Sequence, residues 1–112
     1  MTKQVREAAL EILEFVEKNG AYSNLLLNKT IEKNHFSNVD AAFLTELCYG
    51  TLQRKLALDF FLHPFIKNQK RIDSWVRQLL RLSVYQKVYL DKIPDHAIIN
   101  EAVNIAKKRG NK

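Results

Sequence analysis

Clustered cations are the chemistry this 112-residue chain offers. Arg54-Lys55, the stretch from Lys67 to Arg71, the pair Arg77 and Arg81, and Lys107-Lys108-Arg109 gather positive charge in short blocks. Eighteen Lys and Arg against twelve Asp and Glu leave a net charge of +6, while Glu7, Glu11, Glu14 and Glu17 make residues 3–19 rather acidic. Blocks of one sign select partners of the other. Each phosphate neutralised by such a block releases condensed counterions, so several modest contacts add up on a polyanion. Taken singly, each block also reads as a solvated face.

Catalytic groupings do not emerge. His35, His63 and His96 are dispersed, with no partner at helical spacing and no cysteine pair nearby, which argues against a metal site. Only Gly20, Gly50 and Gly110 are glycines, so there is no phosphate-cradling loop. The one cysteine, Cys48, lies between Leu47 and Tyr49 and reads as buried filler. A single cysteine permits no internal disulfide and fits a reducing, cytoplasmic setting. No signal-peptide pattern opens the chain, and no run approaches the ~18 apolar residues of a membrane span.

The elements that carry these residues follow from apolar spacing. Val5, Ala8, Ala9, Ile12, Leu13 and Val16 predict a helix over residues 3–19, stopped by Gly20. Ser23 is placed to cap a second helix reaching about Asn34, with Leu26, Leu27 and Ile31 inward. After a His35-Phe36 link, Ser37 and Asp40 form a capping-box-like pair for a third helix, whose core face holds Phe43, Leu44, Leu47, Cys48 and Leu52. Gly50 in its middle costs about 1 kcal/mol relative to Ala, which predicts close approach of another backbone.

A fourth, aromatic helix is expected from Leu56 to Ile66, kinked or ended at Pro64. Asp73 or Ser74 caps a fifth, apolar almost all round through Trp75, Val76, Leu79, Leu80, Leu82, Val84, Val88 and Leu90, so it should sit centrally. Pro94 separates it from a sixth, with Ala97, Ile98, Ala102, Ile105 and Ala106 on one side and Gly110 as its stop. No strand alternation appears, so the fold class is an all-α orthogonal helical bundle in one domain. Arg77 and Arg81 share the only polar strip of the fifth helix. Arg81 lies deeper and requires a carboxylate, with Glu101 or Glu46 as the expected mate. Tyr22, Tyr85 and Tyr89 could stack on bases, but at helical spacing they read as core.

The run Leu79-Leu80-Arg81-Leu82, the hinge Ile93-Pro94-Asp95-His96, Asn100-Glu101-Ala102-Val103 and Lys107-Lys108-Arg109-Gly110 form an ordered series. Gly20-Ala21-Tyr22-Ser23-Asn24, Glu46 to Leu52 and Asp59-Phe60-Phe61-Leu62 extend it upstream. Over nearly its whole length the chain resembles the NusB-like fold, in the version found as the N-terminal domain of bacterial small-subunit rRNA cytosine-C5 methyltransferases. The order and spacing of the motifs carry the likeness; no single one is diagnostic.

The resemblance implies a NusB-like bundle of about six helices, with the fold's final helix missing, spanning residues 1–112 of a larger methyltransferase. It places the S-adenosylmethionine site and the catalytic cysteines beyond residue 112, so this chain alone is expected to hold no cofactor and to be no enzyme. It implies RNA as partner, small-subunit rRNA in particular, with the catalytic domain in cis. Lys3, Arg6, Arg54, Lys55, Lys70, Arg71 and Arg77 are the expected RNA contacts. The Arg-rich start of the family is reduced here to Lys3 and Arg6, and Arg6 reads equally as a surface ion pair with Glu7 or Glu11. An open apolar patch near Val84, Val88 or the Ile98–Ile105 face is expected, with a homodimer as its outcome. A freestanding NusB-like antitermination factor and a protein–protein scaffold are the other readings.

Overall fold

A computed structural model describes residues 4–67 and 71–110. They form six α-helices: α1 (Val5–Asn19), α2 (Asn24–Asn34), α3 (Asn38–Gln53), α4 (Lys55–Leu62), α5 (Ser74–Tyr89) and α6 (Asp95–Gly110), with a 3-10 turn at His63–Phe65. There is no strand among the described residues.

Local signals set most boundaries. Gly20 ends α1 in the left-handed region at φ 79°, donating its N–H to Val16 O at 2.7 Å. Ser23 Oγ accepts from Leu26 N at 3.3 Å, and Ser37 Oγ from Asp40 N at 3.1 Å, so both expected caps form. Asp73 takes the N-cap conformation of α5 without a side-chain cap bond. The end of α2 carried no glycine signal, yet His35 adopts φ 54° and Phe36 N bonds back to Ile31 O. Pro64 enters the 3-10 turn and α4 stops at Leu62. Gly110 is the last described residue and is still part of α6.

As expected for a central helix, α5 packs against α1, α3, α4 and α6. The main core combines Ala8, Ala9, Ile12 and Leu13 of α1 with Leu27, Leu44, Leu47, Cys48, Leu58, Leu82 and Tyr85. Leu10, Leu79 and Ile105 make a second cluster that joins α6 to the other side of α1.

Three findings refine or correct these expectations. First, α5 is not a simple apolar rod. It buries Gln78, Arg81 and Gln86 beside Leu79, Leu82 and Tyr85, while Val88 is exposed. Neighbours on four sides put polar side chains inside, where Arg81 bonds Asp59 of α4 and Gln86 bonds Leu82 O and Arg6. Second, α4 buries only Leu58 and Leu62, one turn apart, whereas Leu56, Phe60 and Phe65 are 84%, 76% and 82% exposed. An eight-residue helix packed mainly on α5 can bury one narrow stripe. Third, what approaches Gly50 is a side chain, not backbone. A Cβ there would collide with the Tyr85 phenol.

Candidate nucleic-acid interface

The expected cations fall into three environments. Arg81 is structural. Only 5% of its side chain is exposed, and its guanidinium forks onto Asp59, Nε to Oδ1 at 2.7 Å and Nη2 to Oδ2 at 2.8 Å. Paired planar donors on paired oxygens are the strongest geometry open to arginine. Glu17 Oε2 lies 3.7 Å from Nη1 and also takes Lys55 Nζ at 3.2 Å. A network of two cations and two carboxylates thus ties α1, α4 and α5 together. This corrects the expected Arg81–Glu101 pair. The need for a carboxylate was right, but α4 packs on α5 and supplies Asp59, while Glu101 sits on α6 near Arg6. Lys55, an expected RNA contact, is drawn toward Glu17 on the surface of that network.

Arg6 is likewise engaged by the fold. Its Nε donates to Gln86 Oε1 at 2.7 Å and its guanidinium lies 5.2 Å from the Phe43 ring centre. Burial lowers its pKa, and the Glu101 carboxylate acts in the opposite direction. Of the two expected mates, Glu7 is turned elsewhere, its Oε1 lying 3.6 Å from Lys108 Nζ. Gln86 in turn donates to Leu82 O at 3.0 Å, so Arg6 is held by a buried amide of the central helix.

Arg54 differs from both. It joins α3 to α4, is exposed, and lays its guanidinium 4.2 Å from the Tyr89 ring centre. Tyr89 stacks on Tyr85 at 5.5 Å, and the Tyr85 hydroxyl donates to Glu46 Oε1 at 3.1 Å. Burial is the main cause raising the Tyr85 pKa, followed by Glu46. A guanidinium stacked on a ring keeps its N–H edge available to phosphate oxygens. Arg71 is exposed and Arg77 is half-buried and already engaged. Lys3 and Lys70 lie outside the described residues.

Phe43 connects Arg6 to Arg54 along one surface. It lines a cleft of about 440 Å³ with Gln4, Arg6, Asn34, His35 and Asp40, and also a groove of about 370 Å³ with Glu46, Tyr89, Asp91 and Lys92. The belt follows α3 and ends at Arg54. Lys108 and Arg109 do not join it. Arg109 donates to Glu14 and lies over Trp75, so α6 spends part of its basic end on the acidic face of α1. The hydrogen bond that Arg109 donates to Glu14 is the largest cause raising the Arg109 pKa.

Sequence reasoning missed Asp59, Gln86 and Phe43. Asp59 carried a signal, being the only carboxylate between Glu46 and Asp73. Gln86 and Phe43 carried none, because their roles arise only when α1 is laid across α3 and α5. Cys48 is fully buried, and burial pushes its thiol up to about 12, as fits a packing residue. Among the described residues no group of three His, Cys, Asp or Glu side chains could hold a metal ion. No helix among them is long and apolar enough to cross a membrane.

No solved structure gives a significant match to this chain. Among known proteins it is 57% identical, over 96% of its length, to a Bacillus subtilis protein named "Probable ribosomal RNA small subunit methyltransferase B". It is 33% identical over 93% of its length to the Thermus thermophilus ribosomal RNA small subunit methyltransferase B. The chain spans only 24% and 25% of those two proteins. It is also 34% identical to the Bacillus velezensis transcription antitermination protein NusB, covering 82% of that protein. Residues 3–112 match the NusB family, and the chain belongs to it.

Proposed function

We propose that this chain is the non-catalytic RNA-binding and substrate-presenting domain of an S-adenosylmethionine-dependent rRNA 5-methylcytosine methyltransferase, acting on small-subunit rRNA in the cytoplasm. The observation that carries this reading is the 57% identity to a protein named as a probable ribosomal RNA small subunit methyltransferase, across 96% of this chain but only 24% of the relative. The remainder of such a protein would supply the catalytic domain in cis. S-adenosylmethionine there is the methyl donor. This chain's own residues are suited to holding RNA and not to holding that cofactor. Gly20 ends a helix, Gly50 lies beneath Tyr85 and Gly110 sits in a last helical turn, so no glycine loop is left to cradle a nucleoside.

Support for RNA contact comes from Arg54 on Tyr89, exposed Arg71 and the belt that runs back to Arg6. Lys3, Lys55, Lys70 and Arg77 complete the proposed set. An apolar groove of about 320 Å³ between α5 and α6, lined by Val84, Ile98 and Ile99 and rimmed by the Lys87–Asp95 ion pair, supports self-association of the isolated piece. A freestanding antitermination factor is the second reading, favoured by the 82% coverage of the B. velezensis protein, although identity there is 34%. A reading frame that continues into a Gly-rich cofactor-binding fold separates the two.

Titration of a labelled small-subunit rRNA helix at two ionic strengths tests RNA binding directly. Affinity should fall steeply with salt, and Arg54→Glu with Arg71→Glu should weaken it further. Absence of binding at low salt, or binding indifferent to both reversals, overturns the reading.

A further inference from the structure

All four tyrosines of the chain gather along the C-terminal half of α3, where Gly50 lets them close ranks. Tyr22 and Tyr49 meet edge to face, 6.5 Å between ring centres and 67° between planes. On the other side of Gly50, Tyr85 and Tyr89 stack, and Arg54 covers Tyr89. Three of these rings have packing reasons to be there. Tyr49 packs only edge-on against Tyr22 and stays 57% exposed, on a helix whose neighbouring Leu47, Cys48 and Gly50 are buried. Its ring and that of Tyr22 wall a notch of about 240 Å³ that Leu52 and Gln53 complete.

We propose that the Tyr22–Tyr49 notch holds one unpaired nucleobase of a single-stranded RNA, with Arg54 gripping the adjacent phosphate. The inference rests on the RNA-binding reading above and adds a site and a strand preference that charge alone does not give. Two rings set at 67° make a corner, so a base laid on one face is bounded side-on by the other. Leu52 provides an apolar floor, and the exposed Gln53 amide offers both a donor and an acceptor to a base edge. The notch is smaller than the ~300–1,000 Å³ of most small-molecule pockets, which suits a single planar ring. Every base has a π-face, so such a corner holds single strands with little regard for sequence. A paired base cannot enter, because its faces are already stacked within the duplex.

Charge selects the backbone path. Glu46 lies beyond Tyr85 and is held by its hydroxyl, so phosphates are repelled from that side and favoured at Arg54. Arg54 is one helical turn beyond Gly50, next to Gln53 on the notch wall. Its guanidinium is already aligned by Tyr89, so little freedom is lost when a phosphate binds.

Fluorescence anisotropy of the whole chain with a short labelled single-stranded RNA, and with the same sequence as a duplex, tests this. Tyr49→Ala should weaken the single strand about tenfold while leaving the duplex affinity and the salt slope as they were. Tyr49→Phe should bind like the parent, because the ring remains. Arg54→Gln should lower the salt slope by about one. Helical circular dichroism matching the parent keeps folding out of the comparison. If Tyr49→Ala binds the single strand as the parent does, the notch is not a base site, though RNA binding elsewhere survives. If it weakens single strand and duplex alike, stacking is refuted. If the parent binds neither RNA at low salt, this inference and the function it rests on fall together.

Discussion

Arg81 and Asp59 form one ion pair whose two members should not be equally dispensable. Arg81 is 4% exposed, whereas the Asp59 side chain keeps about a third of its surface, 32%, in water. Deleting Asp59 leaves a guanidinium in the core with only Glu17 at 3.7 Å to answer it. Deleting Arg81 in favour of a flexible apolar chain leaves a carboxylate that water can reach. Asp59→Ala should therefore cost about 3–5 kcal/mol and Arg81→Met clearly less, measured by urea denaturation. Equal losses would mean that packing, not charge, sets the cost. The demand of Arg81 for a carboxylate was legible in its deep position on an apolar helix. Its mate was not, because 22 residues and a helix–helix contact separate them. The partner of Arg6 was hidden for a related reason: the Gln86 amide that holds it lies 80 residues away.

The register of α3 against α5 depends on the absence of one methyl group. In an isolated helix Gly50→Ala would be worth about 1 kcal/mol in propensity. Here the new Cβ strikes the Tyr85 phenol, which is 4% exposed, stacked on Tyr89 and bonded to Glu46. Displacing a packed ring outweighs the propensity gain, so Gly50→Ala should lower stability by a net ~1–2 kcal/mol. Gly50→Ala with Tyr85→Phe should recover part of it, which thermal melts would show. Helices and their caps were legible because Ser23, Ser37, Gly20 and Pro94 act within a few residues of themselves. What each helix faces was less so. The aromatic fourth helix was legible, but not that Leu56, Phe60 and Phe65 are exposed, since composition does not say which side a neighbour occupies. Likewise α6 ended in a basic run that read as a free patch until Glu7 and Glu14 met it.

Across the whole molecule, charge is sorted by use. Carboxylates of α1 face cations of α4, α5 and α6: Glu17 serves Lys55 and Arg81, Glu14 serves Arg109, and Glu7 serves Lys108. The net +6 is therefore not spread evenly. Residual positive charge is left to positions such as Arg54 and Arg71, so the outward field is narrower than the block pattern in the sequence suggested. Exposed pairs of this kind contribute only about 0–1 kcal/mol each, and they weaken with salt. Their value is in orienting α6 on α1.

Cys48, at the centre of all this, turns the core into its own stopwatch. A thiol that does not ionise until about 12, with no surface in water, cannot react while the bundle is closed. Disulfide-exchange reagents should label it only through opening, at a rate set by how often α3 parts from α1 and α5. Alkali should hasten those openings. The unfolded thiol ionises near 9 and the folded one near 12, so between those values the unfolded chain releases a proton that the folded chain retains. Stability contributed by the neutral thiol is intact below about 9 and declines toward 12, by up to about 1.4 kcal/mol per pH unit. Cys48→Ala should remove that component of the alkaline decline, leaving a flatter stability profile above pH 9.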